Sequence, residues 1–158
     1  MVKQKVYLET SVISYLTARP STDVIKLAKQ ELTRRWWDGN RSAYMCYVSD
    51  PVLTEIRRGD PDAARKRLDV ATRLPVLDVS RAALDLYNRL LSSRILPAKA
   101  ALDGFHIAIA AAHGIPYLAT WNCTHINNAA LKKKIGEEIR KAGYTEVIIA
   151  TPEELWRL

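Results

Sequence analysis

The sequence predicts an α/β fold, a twisted parallel sheet of about four to five strands with helices on both faces. Short apolar segments rich in β-branched residues alternate with amphipathic segments along the chain, and this alternation is typical of parallel sheets. The length of 158 residues corresponds to about one domain. The composition, 48% hydrophobic and 26% charged, is that of an ordinary folded protein. We therefore expect a single domain over residues 1–158.

The first predicted strand ends on an acidic residue. Val6 and Leu8 belong to an apolar run that stops at Glu9, and Thr10 and Ser11 follow. The run is too apolar for an exposed edge, so it predicts a buried strand of a parallel sheet. Ligands bind beyond the carboxyl ends of such strands. We expect Thr10 or Ser11 to cap a helix at residues 12–17, with Glu9 either functional or only a favourable acid at the helix start.

Cap residues and periodicity predict the remaining elements. A second helix, capped by Ser21 or Thr22, extends to about residue 37. Its expected buried face consists of Ile25, Ala28, Leu32 and Trp36. Further strands are expected at residues 44–48, 75–79, 115–120 and 147–150. Further helices are expected after Ser49, at residues 62–72, after Ser80, and at residues 97–113 and 129–142. The helix after Ser80 should bury Ala83, Leu84, Tyr87, Leu90 and Leu91.

Charge and cysteine content narrow the function classes. The net charge of +7 permits an anionic partner. Cys46 and Cys123 are not clustered, which favours reduced thiols in a cytosolic protein over a disulfide framework or a zinc site. No apolar run approaches the roughly 20 residues of a membrane span, and the first residues lack a signal-peptide core. We expect a cytoplasmic protein without membrane contact.

The helix predicted at residues 97–113 is apolar on nearly all sides but contains Asp103, followed by Gly104 and His106. A buried carboxylate is unfavourable unless it is paired or ligated. A glycine inside a helix costs about 1 kcal/mol relative to alanine, which indicates close approach of another group. Alternatively, the helix begins at Lys99 and Asp103 is an ordinary acid of its first turn. His106 is more often a hydrogen-bonded core residue than a ligand.

Four side chains with oxygen atoms are candidates for one site. They are Glu9, Glu55, Asp103 and Asn122. Glu9 and Asn122 follow predicted strands, and the other two lie on helices that can point to the same edge. Carboxylates of this kind suit Mg²⁺ or Mn²⁺, which can activate water and offset phosphate charge. No glycine-rich phosphate loop, nucleophile elbow or spaced Cys–His pair offers a rival site.

The sequence resembles the PIN-domain ribonucleases, in particular the VapC-like toxins of toxin–antitoxin pairs. The resemblance covers about residues 3 to 155, and its motifs lie at residues 6–13, 53–56, 102–108 and 117–122. It implies a PIN-like fold and a metal-dependent endoribonuclease that cleaves RNA. Glu9, Glu55 and Asp103 would hold the metal, and Asn122 would assist. The resemblance also implies a homodimer and an inhibitory antitoxin.

The residues around these four are weaker candidates. The hydroxyls of Thr10 and Ser11 could support the ligands, and His106 and His125 could donate to phosphate or orient ligands. Arg57 and Arg58 follow Glu55 by half a turn and could contact the RNA backbone.

The chain departs from the family pattern at two positions, because Glu9 and Asn122 stand where the family usually or often has aspartate. The alternative is therefore a weakened or inactive PIN-like module that binds RNA or a protein partner. A small-molecule phosphatase is disfavoured, since the first strand is not followed by an aspartate nucleophile with a second aspartate two residues on.

Overall fold

The computed structural model describes residues 2–122 and 124–156, which contain five parallel strands. The strands are β1 (Gln4–Leu8), β2 (Tyr44–Ser49), β3 (Val76–Leu77), β4 (Tyr117–Ala119) and β5 (Ile148–Ala150). Their order across the sheet is β3-β2-β1-β4-β5. In the central strand, Val6 is aligned with Cys46 on one side and with Tyr117 on the other. The predicted parallel sheet is confirmed.

The helices form two groups. They are α1 (Thr10–Thr17), α2 (Val24–Gly39), α3 (Asp50–Glu55), α4 (Pro61–Ala71), α5 (Arg81–Ser92), α6 (Ala101–Ala112) and α7 (Ala129–Lys141), with 3₁₀ turns at Arg41–Ala43, Ala98–Ala100 and Pro152–Leu155. Helix α1 contacts α2 and α4, whereas α5 contacts α6 and α7. The chain moves from β1 towards β3 in one direction and from β4 to β5 in the other. Right-handed crossovers in opposite directions place the two groups on opposite faces.

The strand order reverses at the centre of the sheet, between β1 and β4. The backbone N–H of Glu9, just past β1, donates to the carbonyl of Ala119 at 3.0 Å. The segments that follow β1 and β4 therefore start side by side and then run in opposite directions across the sheet. A crevice at such a switch point is the usual binding site of an open parallel sheet.

The core follows the apolar patterns of the sequence. Val6, Tyr7 and Leu8 of β1 and Trp36 of α2 are fully buried. Helix α6 is buried along most of its length, with Leu102 at its start as an exposed exception. Cys46 is a free, buried cysteine, whereas Cys123 lies outside the described residues. Within the described part of the chain, no helix has the length and apolarity that crossing a membrane requires.

The predicted face of α2 is wrong in its first half. Ile25 and Ala28 are exposed, and the positions buried instead include Gln30 and Thr33. Both polar side chains have partners, because Gln30 bonds the backbone of the preceding loop at 3.0–3.1 Å and the Thr33 hydroxyl accepts from the Trp121 indole at 2.7 Å. Buried polar groups of this kind are destabilising unless they form such hydrogen bonds. The cap is Asp23, not Ser21 or Thr22.

The buried stripe of α5 is rotated from the predicted one. Ala83 and Leu90 are buried as expected, but Leu86 takes the place between them. Leu84 and Leu91 are each more than a third exposed. The observed spacing still follows one helical face.

Helix α6 begins later than predicted, at Ala101, so Asp103 lies in its first turn. The alternative interpretation of Asp103 is therefore right about its place in the helix, although the side chain is buried. The close approach expected at Gly104 is confirmed, because a Cβ atom there would overlap Cδ1 of Leu96.

Candidate functional site

Glu9 is fixed at the carboxyl end of β1 by donors from helix α1 and from the residue that follows β4. It is the N-cap of α1, with extended backbone angles (φ −75°, ψ 158°). Its Oε2 accepts from the backbone N–H of Ser11 at 3.0 Å, from the Ser11 hydroxyl, and from the Thr120 hydroxyl at 2.9 Å. The predicted caps are wrong, because the longer glutamate side chain folds back and helix α1 already begins at Thr10.

The two hydroxyls that bind Glu9 are themselves held by the loop after β4. The Ser11 hydroxyl accepts from the backbone N–H of Trp121 at 2.9 Å. The Thr120 hydroxyl accepts from the backbone N–H of Asn122, also at 2.9 Å. Each hydroxyl therefore directs its own proton to Glu9 Oε2. This network makes Glu9 a rigid part of the switch point.

Glu55, at the end of α3, is held by one donor on each carboxylate oxygen. Oε2 accepts from the Thr10 hydroxyl at 2.6 Å, and Oε1 lies 2.9 Å from Nε2 of His106. Burial acts to raise the pKa of Glu55, but the hydrogen bond and charge of His106, the hydrogen bond of Thr10 and the charge of Arg58 together lower it. Glu55 is therefore a carboxylate at neutral pH.

His106 is part of a chain of buried hydrogen bonds. Its Nδ1 lies 2.6 Å from the Tyr7 hydroxyl, which lies 2.6 Å from the hydroxyl of Ser49. Ser49 caps α3 by accepting from the N–H of Val52. Because Glu55 is ionised, Nε2 of His106 must donate to it, and in the neutral ring Nδ1 accepts from Tyr7.

Tyr7 remains a phenol in this chain. Burial raises the pKa of Tyr7 far above its usual value; the hydrogen bond from Ser49 works against this, and the charges of Glu9 and Glu55 add to it. With both ring nitrogens of His106 occupied, the imidazole positions Glu55. This arrangement agrees with the expectation that His106 is a hydrogen-bonded core residue.

Asp103 has a different environment. Its Oδ2 lies 3.1 Å from Nδ1 of His125. Burial raises the pKa of Asp103, and the charges of His125 and His106 with the hydrogen bonds from His125 and Asn122 offset this only in part. Asn122 donates to Asp103 through its amide, while its carbonyl oxygen accepts from the His125 backbone N–H at 3.2 Å. Asn122 therefore supports Asp103.

Among the described residues, two of the predicted acids lie close together with His106, and Asp103 lies outside this close group. Possible ligand atoms of Glu9, Glu55 and His106 all lie within 4.8 Å of one another. Asp103 is not in this closest group, but the charge of His106 acts on its pKa. The set that meets most closely thus contains His106 where the sequence suggested Asp103.

Three residues that the sequence analysis did not single out shape the site. They are Tyr7, Ser49 and Thr120. Thr120 had a usable signal, since it is a polar residue at the end of an apolar strand. Tyr7 and Ser49 had none, because their positions looked like strand core and helix cap.

The arginines expected at the site differ in their effect. Arg57 and Arg58 are both exposed, and only Arg58 acts on the pKa of Glu55. Arg67 of α4 donates to the carbonyls of Ile56 and Arg58 at 2.9 and 2.6 Å. It fixes the turn that follows α3 and thereby the approach to Glu55.

The side chains fit a divalent cation. Glu9 and Glu55 place carboxylate oxygens within 4.8 Å of each other, so their charges repel. Burial raises the pKa of Asp103 more than its histidine and asparagine neighbours lower it. Oxygen ligands with excess negative charge are the donors that Mg²⁺ and Mn²⁺ prefer.

The fold is shared with VapC toxin structures. VapBC2 from Rickettsia felis, bound to a DNA fragment from their promoter, matches with a TM-score of 0.61 and 17% identity over 92% of this chain and 97% of that chain. VapC20 from Mycobacterium tuberculosis, a sarcin-ricin loop cleaving toxin, matches with a TM-score of 0.54 and 18% identity over 90% and 98%. No protein-family model and no curated protein matches the sequence. The chain therefore has a VapC-like PIN fold, as the sequence resemblance implied.

Proposed function

We propose that this protein is a metal-dependent endoribonuclease that acts as the toxin of a toxin–antitoxin pair. The observation that carries the proposal is the acidic edge at the switch point of a VapC-like sheet. There, Glu9 and Glu55 face each other and Asp103 is buried with too little positive charge around it.

Glu9, Glu55 and Asp103 would hold Mg²⁺ or Mn²⁺. When bound, the ion would lower the pKa of a water and offset the negative charge of the phosphodiester. All three donors to Glu9 end on Oε2, so Oε1 is the oxygen left to face the ion. Both oxygens of Glu55 carry one donor each, and each keeps a further lone pair.

The other residues orient these carboxylates. His106 fixes Glu55, and Asn122 with His125 fixes Asp103. Arg58, whose guanidinium has no carboxylate within 4 Å among the described residues, is available to a phosphate next to Glu55. His125 is partly exposed and can donate to the RNA as well.

The partners follow from the same proposal. The name of the similar structure, VapBC2, denotes a complex of VapB with VapC. By analogy, we infer that an antitoxin binds this chain and covers the acidic edge. We also infer a homodimer and a cytoplasmic location, where the RNA substrate is found.

The test is cleavage of a mixed pool of single-stranded RNA. Wild type and Asp103→Asn, purified in parallel, are each incubated with Mn²⁺ and with a chelator. Cleavage is expected only for wild type with Mn²⁺. Asp85→Asn, a substitution of an exposed aspartate on α5, is the matched control and should cleave like wild type. Equal traces in all lanes would sink the nuclease function.

A non-catalytic module that binds RNA or protein is the second candidate. It is favoured by the use of Glu9 as a helix cap and by the uncharged Asn122 beside Asp103. Calorimetric titration with Mn²⁺ separates the two, because the nuclease requires a weak site that Asp103→Ala removes. RNA binding without cleavage and without a Mn²⁺ site would favour the module.

A further inference from the structure

An open groove lies directly beside the acidic edge. It has a volume of about 300 Å³ and apolar walls formed by Pro51, Val79, Leu102 and Phe105. Its polar lining consists of Asp50, Thr54, Glu55 and Arg58. This volume is at the lower end of the roughly 300–1,000 Å³ of small-molecule sites. Because Glu55 belongs to both the groove and the acid cluster, whatever is bound at the acids has its next chemical group at the groove.

The walls of the groove are apolar and partly open to solvent. Leu102 in the first turn of α6 is 59% exposed, although this helix is otherwise mostly buried. The ring of Phe105 packs on its other side against Tyr87, with ring centroids 4.8 Å apart. Phe105 is therefore a fixed aromatic surface. A flat apolar ligand can bind it without a large loss of side-chain entropy.

Arg58 is the positive side chain of the groove lining and can bind a phosphate, whereas Asp50 and Glu55 are its carboxylates. Arg58 is exposed and has no carboxylate within 4 Å among the described residues, so its guanidinium is available for a charge-assisted bond. The chain as a whole carries a net charge of +7. An apolar wall next to a free cation matches the two parts of a nucleotide, the base and its phosphate.

We propose that this groove binds an unpaired nucleobase of RNA, packed against Leu102 and Phe105, with the adjoining phosphate at Arg58. The proposal rests on the nuclease function and names the form of its substrate. A paired base presents its faces to its neighbours in the duplex and cannot enter an apolar groove. The groove therefore selects single-stranded or looped RNA.

The experiment compares two oligomers of equal length and charge. One is a fluorescent single-stranded RNA of mixed sequence, and the other is an abasic oligomer with the same number of phosphates. Binding is measured by anisotropy in the Asp103→Asn background, so that no RNA is cut. We expect the RNA to bind on the order of tenfold more tightly than the abasic oligomer. An RNA duplex of the same length should lose this advantage.

The groove variants are Leu102→Ala and Phe105→Leu, and Leu84→Ala is the matched control. Leu84 is 40% exposed but does not line the groove. Both groove variants should lose most of the advantage of RNA over the abasic oligomer, and the control should keep it. Leu102 is exposed, so its substitution leaves the fold intact and keeps the test valid even if Phe105→Leu is unstable.

Two results would overturn the proposal. One is equal affinity of the parent protein for the RNA and abasic oligomers, which would leave only phosphate binding. The other is an unchanged advantage in the groove variants, which would place the bound base outside the groove. A preserved base effect in a protein that never cleaves RNA would overturn the nuclease function and leave the groove proposal standing.

Discussion

Two carboxylates of the acidic edge, each paired with a histidine, have pKa values shifted in opposite directions. Burial raises the pKa of both, yet the bonds from His106 and Thr10 and the charge of Arg58 bring Glu55 below its usual range. Asp103 has His125 and Asn122 as hydrogen-bond partners, and its pKa remains raised. We call these groups the Glu55 corner (Glu55, Thr10, His106 and Tyr7) and the Asp103 corner (Asp103, His125 and Asn122).

The difference shows where the protein has left its charge uncompensated. The imidazole of the Glu55 corner is fully enclosed, whereas the side chain of His125 is 31% exposed and its interaction is screened by solvent. The protein therefore compensates the charge of Glu55 more fully than that of Asp103. Under the proposed function, a cation bound next to Asp103 would offset the less compensated of the two charges.

The largest expected effect comes from removing the two histidines in turn. His106→Ala should lower the free energy of unfolding by about 2–4 kcal/mol, because it removes one hydrogen-bond partner from each of Tyr7 and Glu55 and opens a cavity. His125→Ala should cost less than about 1 kcal/mol, as for other partly exposed pairs. Urea unfolding with a chelator present measures both. Similar losses would contradict the distinction between the corners.

Neutral amides at the two acids should change stability in opposite directions. With a chelator at pH 7, Glu55→Gln should cost about 1–2 kcal/mol, since it removes charge-assisted hydrogen bonds. Asp103→Asn should raise the free energy of unfolding by up to about 1 kcal/mol, since it removes a poorly compensated charge. Saturating Mn²⁺ should stabilise wild type and abolish this advantage. Destabilisation by both variants in chelator would break the comparison.

The pH dependence of the same variants follows from the direction of each shift. The folded pKa of Glu55 is lowered, so its stabilisation is present above the unfolded value of about 4.3 and is lost as the pH falls through the folded pKa. The folded pKa of Asp103 is raised, so its cost appears as the pH rises from about 3.9 through the folded pKa. The advantage of Asp103→Asn should therefore vanish below about pH 4, as unfolding curves across pH 3–7 can measure.

Tyr7→Phe tests the hydrogen-bond chain with a smaller change. Loss of the hydroxyl should cost about 1 kcal/mol, because it leaves Nδ1 of His106 without its donor. Nitrogen-15 NMR of the imidazole should show the Nε2–H form in both proteins, since Nε2 donates to Glu55, and a shifted Nδ1 resonance in the variant. Tyr15→Phe, in α1 and outside this chain of bonds, is the control. An unchanged Nδ1 resonance in Tyr7→Phe would mean that Tyr7 does not donate to the ring.

Asn122→Asp should give the smallest change in stability. With a chelator it adds a second charge beside Asp103 and should cost a few tenths of a kcal/mol to about 1 kcal/mol. The same charge should tighten Mn²⁺ binding several-fold and leave cleavage equal or faster. Isothermal titration and unfolding in parallel give both numbers. Weaker Mn²⁺ binding would place the ion away from the Asp103 corner.

The sheet was predictable from sequence because each strand carries its own local signal. Alternation of apolar segments gave all five strands, and an acid after β1 indicated the edge where the site lies. Helix boundaries were less predictable, since Glu9 caps α1 with a side chain longer than the usual caps. The buried face of α2 was missed because Gln30 and Thr33 are polar, and their burial depends on partners distant in sequence.

The contacts within the site were beyond sequence analysis for the same reason. Tyr7 looks like an apolar strand residue, and only the folded chain brings its hydroxyl to His106, 99 positions away. The three candidate acids and the candidate amide were singled out by residue type and by their position after a strand or on a helix that can point to the same edge. Which atom bonds which, and why Asp103 is less compensated than Glu55, depends on geometry between elements.

The bond between Glu9 and Thr120 has a consequence for how the protein is made. It joins residues 111 positions apart. Glu9 follows the first strand to leave the ribosome, and its side chain cannot form this bond until Thr120, after β4, has been synthesised. At about 5–20 residues per second, this interval lasts roughly 5–20 s. Nascent chains and prematurely terminated fragments that lack β4 contain Glu9 and Glu55 but cannot assemble the edge that orders them. The acidic edge is therefore ordered only after β4 has been synthesised.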